Sequence, residues 1–471
     1  MNGCILAKYP SVIAALSALI LGLLPSHALS SDPTPLIHPW DCASNSECVT
    51  GFTCVQGSCR DASSTYGGRP VRLLALQTVD RSNRTNGSLW LRKRFKDLVS
   101  MTLSATGVFE VLDYDKSPVL NTKVIIDAAN RRATYILETE ITELSSDTAV
   151  FNVQFFDTEW EDRITDMATT IRMDTTTLNI NTNDWINKLI LRLTGRRSII
   201  GSRLVAVRRV GTGIKELFEV TLGSPEPRQL TNHASLNLLP TWAPDGRIAY
   251  TGYKGTDTFL MILGQETPFS AQPGFNSGVS WTRDGNRAVM TLNRDDSAEV
   301  YEVHPVNGKP IRRLTSSPAV DTSPSFSPDG KQIVFVSDRN GGPQLFLMDI
   351  DGSTATQVSS HGPYNSSPDW HPTGPWIAYS SQTSGGFDIR ILNVQTGFDR
   401  RLAGGRGRCE DPSWSPCGRY IAFTWYSRKL GTQDLYLVSA DGLSLQRLTS
   451  DGGPYSAPSW QPLTDPSRTM P

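Results

Sequence analysis

One box, repeated through the second half of the chain, constrains the fold more than anything else: Pro, any residue, an aromatic, any residue, Pro, any residue, Gly. It reads PTWAPDG at 240–246, PSFSPDG at 324–330, PDWHPTG at 368–374 and PSWSPCG at 412–418. A weaker copy, VSWTRDG, occupies 279–285, and a truncated PSWQP starts at Pro458. The aromatics Trp242, Trp281, Phe326, Trp370, Trp414 and Trp460 follow one another at intervals of 39, 45, 44, 44 and 46 residues. A period of about 40–45 residues with four strands per unit marks a β-propeller. The aromatic fills the wedge between neighbouring blades. Asp-Gly makes the tight turn into the next strand, because glycine tolerates positive φ. β-rich runs follow the box at 332–336 and 344–348, and again at 435–438.

Six aromatic starts predict six innermost strands. The last copy has almost nothing after Pro462, while two orphan strands, 203–208 and 216–222, precede the first copy. They are placed to complete the last blade and close the ring, which removes open sheet edges. The expected ring spans 198–462, with a tail at 463–471.

Upstream, 69–197 reads as a small α/β domain. Strands are expected at 71–76, 109–112, 135–141 and 150–156, from their β-branched and aromatic content. Leu91, Phe95, Leu98 and Val99 recur at helical spacing, with Gly107 as a stop. Thr122 is positioned to cap a short helix through Ala129. Ile186, Leu189, Ile190 and Leu193 share one face of a last helix, with Asn183 as its cap.

The first 28 residues read as an export signal: Lys8, an apolar run at 11–24, then Ser26-His27-Ala28 for cleavage after Ala28. The apolar run is shorter than the ~20 residues a membrane span needs. Cysteine usage agrees with an oxidising compartment. Cys42, Cys48, Cys54 and Cys59 lie in a polar, nearly coreless segment of a 29–68 module and linker, which needs cross-links to hold a shape. Two disulfides with three open connectivities are expected; zinc is the alternative, although thiolate sites favour paired two-residue gaps. Cys409 and Cys417 should not bridge. They lie at opposite ends of one innermost strand, more than ~20 Å apart at ~3.3 Å per residue, whereas a disulfide needs Cα atoms within about 7 Å.

A net charge of −1 with no long basic run argues against nucleic acid as a partner. No Gly-x-Ser-x-Gly elbow is present, and His233, His304, His361 and His371 show no metal-binding spacing. Asp245, Asp284 and Asp329 share one turn position, which points to backbone geometry and away from acid–base work. No catalytic residue, metal or cofactor is expected.

The small α/β domain ahead of a six-bladed ring, with RPVRLLAL at its start, LTGRRSIIGSRLVAV across the junction and the propeller boxes after it, resembles the TolB family. The resemblance covers 69–462. It implies a periplasmic scaffold of the Tol–Pal system, which holds the outer membrane to the cell wall during division. It further implies that the propeller binds Pal, the peptidoglycan-associated lipoprotein, and that an extended mature N-terminus contacts TolA. Here the cysteine-bearing segment stands where that extended segment belongs. The other reading is an exported propeller that binds or processes glycans through its channel.

Three residues before the repeat proline, or before Val279, stand Asn237, Asn276, Asp321, Asn365, Cys409 and Tyr455. In a propeller this position enters the innermost strand at one mouth of the channel, and Asn and Asp suit turns. With Phe275, Tyr364 and Glu410 beside them, these residues are the expected partner-binding ring. As surface positions they should accept a charge, so that Asn365→Arg leaves the ring folded.

Overall fold

The computed structural model describes residues 36–37, 52–55 and 58–61, most of 71–194 and nearly all of 198–462. The leader and its cleavage site, Cys42, Cys48, the linker through Gly68, Leu91, Gly107 and the tail lie outside the described residues. Among the described residues no helix is long and apolar enough to cross a membrane.

The N-terminal region is a mixed sheet. Phe109–Tyr114, Val71–Leu76 and Tyr135–Leu144 run parallel; Thr148–Asp157 and Asp162–Asp174 continue the sheet antiparallel. Helix α1, Thr122–Asn130, buries Val124 and Ala128 beside Ile136 and Phe156. Its cap is Asn121, whose Oδ1 accepts the Val124 amide at 3.1 Å, so the cap lies one residue before the expected Thr122. Helix α2, Leu178–Thr194, starts earlier than expected, and Asn183 is an interior, buried residue. Its apolar face, Trp185, Ile186, Leu189 and Ile190, packs on Phe151 and Phe155. The same core continues through Ile199 and Ile200 to Leu204, Leu222 and Trp460 in the repeat region. The strand Asp162–Asp174 was not foreseen: its sequence, DRITDMATTIRMD, has too few apolar residues to show a clear period of two.

The repeat region is a β-propeller-like array of antiparallel units. The third is typical: Asp321–Phe326, Gln332–Ser337, Gln344–Asp349 and Thr356–Gln357, in that order. Every box opens on such a first strand: Asn237–Trp242, Asn276–Trp281, Asp321–Phe326, Asn365–Trp370, Gly407–Trp414 and Tyr455–Trp460. The final first strand pairs with Arg203–Gly211, which pairs in turn with Ile214–Thr221. The two orphan strands therefore do complete the last unit with the other end of the array. All six box aromatics are buried. At the turn, Asp284 Oδ1 accepts the Thr282 hydroxyl at 2.6 Å and the Asn286 amide at 3.0 Å. Asp329 does the same with Ser327 and Lys331, at 2.6 and 3.1 Å. These hydrogen bonds hold both carboxyls below the usual range, as turn-building carboxylates should be.

The units are joined by hydrogen bonds between first strands. The middle residue between the repeat proline and the aromatic accepts the aromatic amide of the next unit: Ser280 from Phe326 at 3.2 Å, Asp369 from Trp414 at 2.6 Å, Ser413 from Trp460 at 3.3 Å. One residue before the proline position, each first strand enters the left-handed region. Leu239, Gly278, Ser323, Ser367, Asp411 and Ala457 have φ between +49° and +57°, beside a register shift in each ladder. This is a bulge repeated in every unit, and only one of the six residues is glycine. A non-glycine residue there costs about 1–2 kcal/mol, and cross-unit bonds offset it. The Ser323, Asp411 and Ala457 amides donate to Thr291, Ser380 and Thr424 of the preceding unit, at 3.2, 3.1 and 3.0 Å.

Candidate partner-binding face

The structure brings the expected ring residues to equivalent places, the first strand of each unit, but turns their side chains inward. Asn237, Asn276, Asp321, Asn365, Cys409 and Tyr455 are all at most 1% exposed. They do not form an exposed polar rim, and Asn365→Arg, expected from the sequence to leave the ring folded, should instead destabilise it. A guanidinium forced into that closed site would have to give up its water.

The three asparagines tie their strands to the third strand of the preceding unit. Asn237 Nδ2 donates to Glu216 Oε2 and to the Lys215 carbonyl, both at 2.9 Å. Asn276 Nδ2 donates to the Thr258 carbonyl at 3.0 Å, and its Oδ1 accepts the Gln272 amide at 2.9 Å. Asn365 Nδ2 donates to Gln344 Oε1 at 2.6 Å. Asp321 pairs with Arg339 at 2.9 Å, yet burial raises its carboxyl above the usual range. Burial and the Asp388 carboxylate push the Cys409 thiol well up. Tyr455 donates its hydroxyl to Asp451 at 3.0 Å, under the Arg208 guanidinium. Cys409 and Cys417 are both free thiols, as the strand geometry required.

A hydroxyl completes this network, and the sequence reading missed it. Thr231, Thr315, Ser359 and Thr449 accept the Leu217, Val300, Leu345 and Leu435 amides at 2.8 to 3.0 Å. They donate in turn to Glu216, Glu299, Gln344 and Asp434. The signal was present as a second repeat: LT at 230–231, 314–315 and 448–449, and VS at 358–359.

Half-buried groups remain at the strand openings of the fourth and fifth units. The Tyr364 ring meets Phe387 edge-on at 5.8 Å, and the Arg408 guanidinium lies over Phe387 at 5.3 Å. Arg408 also pairs with Glu410 at 2.8 Å. Burial pushes Glu410 up to about 7 and Tyr364 up to about 12. Asp411 accepts the Ser367 hydroxyl at 3.1 Å, and burial raises its carboxyl too. Phe275 is half-buried at the opening of the second unit. Aromatic and arginine side chains around paired charge suit a protein interface. Among the described residues no group of three or more His, Cys, Asp or Glu side chains could hold a metal ion.

His371 shows how tightly the fourth and fifth units fit. Its Nδ1 accepts the Gly374 amide at 2.8 Å, leaving Nε2 to donate to the Gly418 carbonyl at 3.1 Å. A Cβ on Gly418 would lie 2.2 Å from Nε2, so that turn needs glycine. Burial lowers the imidazole to about 4, against about 6.5 in an unfolded chain. The unfolded state therefore binds the proton first, and this contribution is lost as pH falls from 6.5 toward 4, by about 3 kcal/mol. Asp369 and Glu410, both raised to about 7, act with the opposite sign, binding protons first in the folded state. The difference between wild type and His371→Gln isolates the imidazole. Urea titrations should show that difference largest at pH 7–8 and shrinking steadily down to pH 4; a gap independent of pH would contradict a buried neutral ring.

Residues 191–464 match the family described as the TolB beta propeller domain. The protein is 39% identical over 166 residues to the Protein TolB homolog of Chlorobium luteolum, a match covering 34% of this chain and 37% of that protein. It is 31% identical over 174 residues to the Tol-Pal system protein TolB of Bordetella pertussis, covering 36% of this chain and 40% of that one. The matched stretch thus spans well under half the length of these relatives. The fold is that of TolB from Acinetobacter baumannii, with a TM-score of 0.68 at 20% identity over 84% of this chain and 97% of that structure. The family match takes in more than half of the residues, all of the boxes among them, and the chain belongs to the TolB β-propeller family.

Proposed function

We propose that this is an exported, non-catalytic scaffold of the Tol–Pal type that acts in the periplasm. In this reading the cleaved leader ends at Ala28, and an oxidised cysteine module and linker occupy 29–68. An α/β domain covers 69–197, and the repeat units close as a six-bladed ring over 198–462. The strand-opening face docks a Pal-like peptidoglycan-associated lipoprotein and so helps to hold the outer membrane during constriction. The observation that carries the docking site is the half-buried cluster of Tyr364, Arg408 and Glu410, set on the buried Phe387 ring. It offers aromatic and charged groups on a frame whose buried polar side chains are engaged between units.

The test is capture of a purified Pal-like lipoprotein by Phe275→Asp, Tyr364→Asp and Glu410→Lys. Variants whose melting curves stay close to wild type enter the comparison. A charge introduced or reversed at an interface that excludes water weakens binding by about 2–5 kcal/mol, so capture should fall at least tenfold. Capture unchanged in all three places the docking site elsewhere.

A further inference from the structure

The fourth unit lacks the hydroxyl staple. Where the third, fifth and sixth units carry Ser359, Thr449 and Thr231, the fourth carries Ala403. The consequence is visible in its outer strand. In the units with a staple, the outer strand leaves the ladder at Gln229, Arg313, Gln357 or Arg447, and the residue after the hydroxyl, at 232, 316, 360 or 450, is exposed. In the fourth unit it runs on as Asp399–Gly404, and Leu402, Ala403 and Gly404 are all buried. Without the hydroxyl, the third strand of this unit pairs with backbone instead, Ile389 lying opposite Ala403. A serine or threonine there satisfies the third-strand amide itself and draws the chain out of the ladder. Alanine offers no such bond, so the backbone goes on pairing.

A longer outer strand presents a longer row of unpaired backbone groups, which is a template for another strand. Asp399, Arg400 and Arg401 guard the first half of this edge with charge; Leu402, Ala403 and Gly404 have none. At the unguarded end the chain's own Leu36–Ile37 pairs antiparallel, Leu36 opposite Gly404 and Ile37 opposite Ala403.

We propose that the outer edge of the fourth unit is a strand-accepting surface, and that the segment at Leu36–Ile37 is the strap that occupies it. The loss of one hydroxyl opens the edge, and the strap closes it by adding a fifth strand. The cysteine-bearing run follows the strap in sequence, Cys42 five residues after Ile37. Its hairpin, Phe52–Val55 with Ser58–Asp61, sets Cys54 opposite Cys59.

Hydrogen exchange on the full chain tests the strap. Ile37→Pro removes an amide and disfavours the paired backbone. It should speed exchange of the amides at 402–404 at least tenfold and leave the Trp376–Thr383 strand of the same unit unchanged. Unchanged exchange at 402–404 would overturn the proposal. A second variant does not depend on proline: Ile37→Cys with Ala403→Cys places two thiols at opposed positions. Under mild oxidation, peptide mapping should find them cross-linked in the monomer; their absence from the cross-linked peptides counts equally against the strap.

Discussion

Gly386→Ala is expected to lower stability by at least about 3 kcal/mol, seen as a clear fall in the urea midpoint. Gly386 opens the third strand of the fourth unit with φ +142°, a backbone region that costs an L-residue about 1–3 kcal/mol. It also pairs in parallel with Gly407, in the first strand of the fifth unit. A Cβ at this position would sit 1.7 Å from the Gly407 carbonyl oxygen. The obstacle is backbone, which no rotamer change can move aside, so the fourth and fifth units would have to separate. Gly397→Ala is the control. Its φ is also positive, at +72°, but nothing lies within 4 Å of the added methyl. It should cost about 1–2 kcal/mol, the left-handed penalty alone. Equal losses in the two variants would mean that close packing of the two units is not what requires glycine at 386.

Trp370→Ala should cost about 3–5 kcal/mol, the range for emptying a buried aromatic site. Trp370 closes the first strand of the fourth unit and packs with Val334, Val336 and Leu345 of the third unit and Ile377 and Tyr379 of its own. Its indole nitrogen donates to the Gly374 carbonyl at 3.2 Å across the box turn. Trp370→Phe keeps most of the apolar contact and loses that bond, so it should fall between wild type and alanine. Chemical unfolding of the three proteins checks the order. A loss below ~1 kcal/mol for alanine would show that the box aromatic does not hold adjacent units together.

The strand-opening residues were only partly legible in the sequence. The strand-opening residues could be found from the box by counting back three positions, and the structure does place them equivalently. Their side-chain direction could not be read. One left-handed residue, two positions beyond each opening residue, shifts the register of every first strand, and a strand side chain changes face with each one-residue shift. Nothing in Leu239, Ser323 or Ala457 announces positive φ; the bonds that support it come from Thr291 and Thr424, more than thirty positions upstream. The asparagines that suit turns by type proved to be ties between units.

Local chemistry determined what the sequence could show: the repeat period, the six first strands, the Asp-Gly turns and the two early strands that complete the last unit. Turn and strand preferences act within a few residues, and the box carries them intact. The helix cap at Asn121 and the long strand Asp162–Asp174 were settled by competition among neighbouring residues of similar preference. Only the tertiary structure decided which polar groups face inward, because that depends on partners supplied by the adjacent unit, such as Glu216 for Asn237 and Gln344 for Asn365. The same holds for the open edge of the fourth unit. The sequence shows alanine where its neighbours have serine or threonine, but that difference matters only once the hydroxyl is seen to end the ladder.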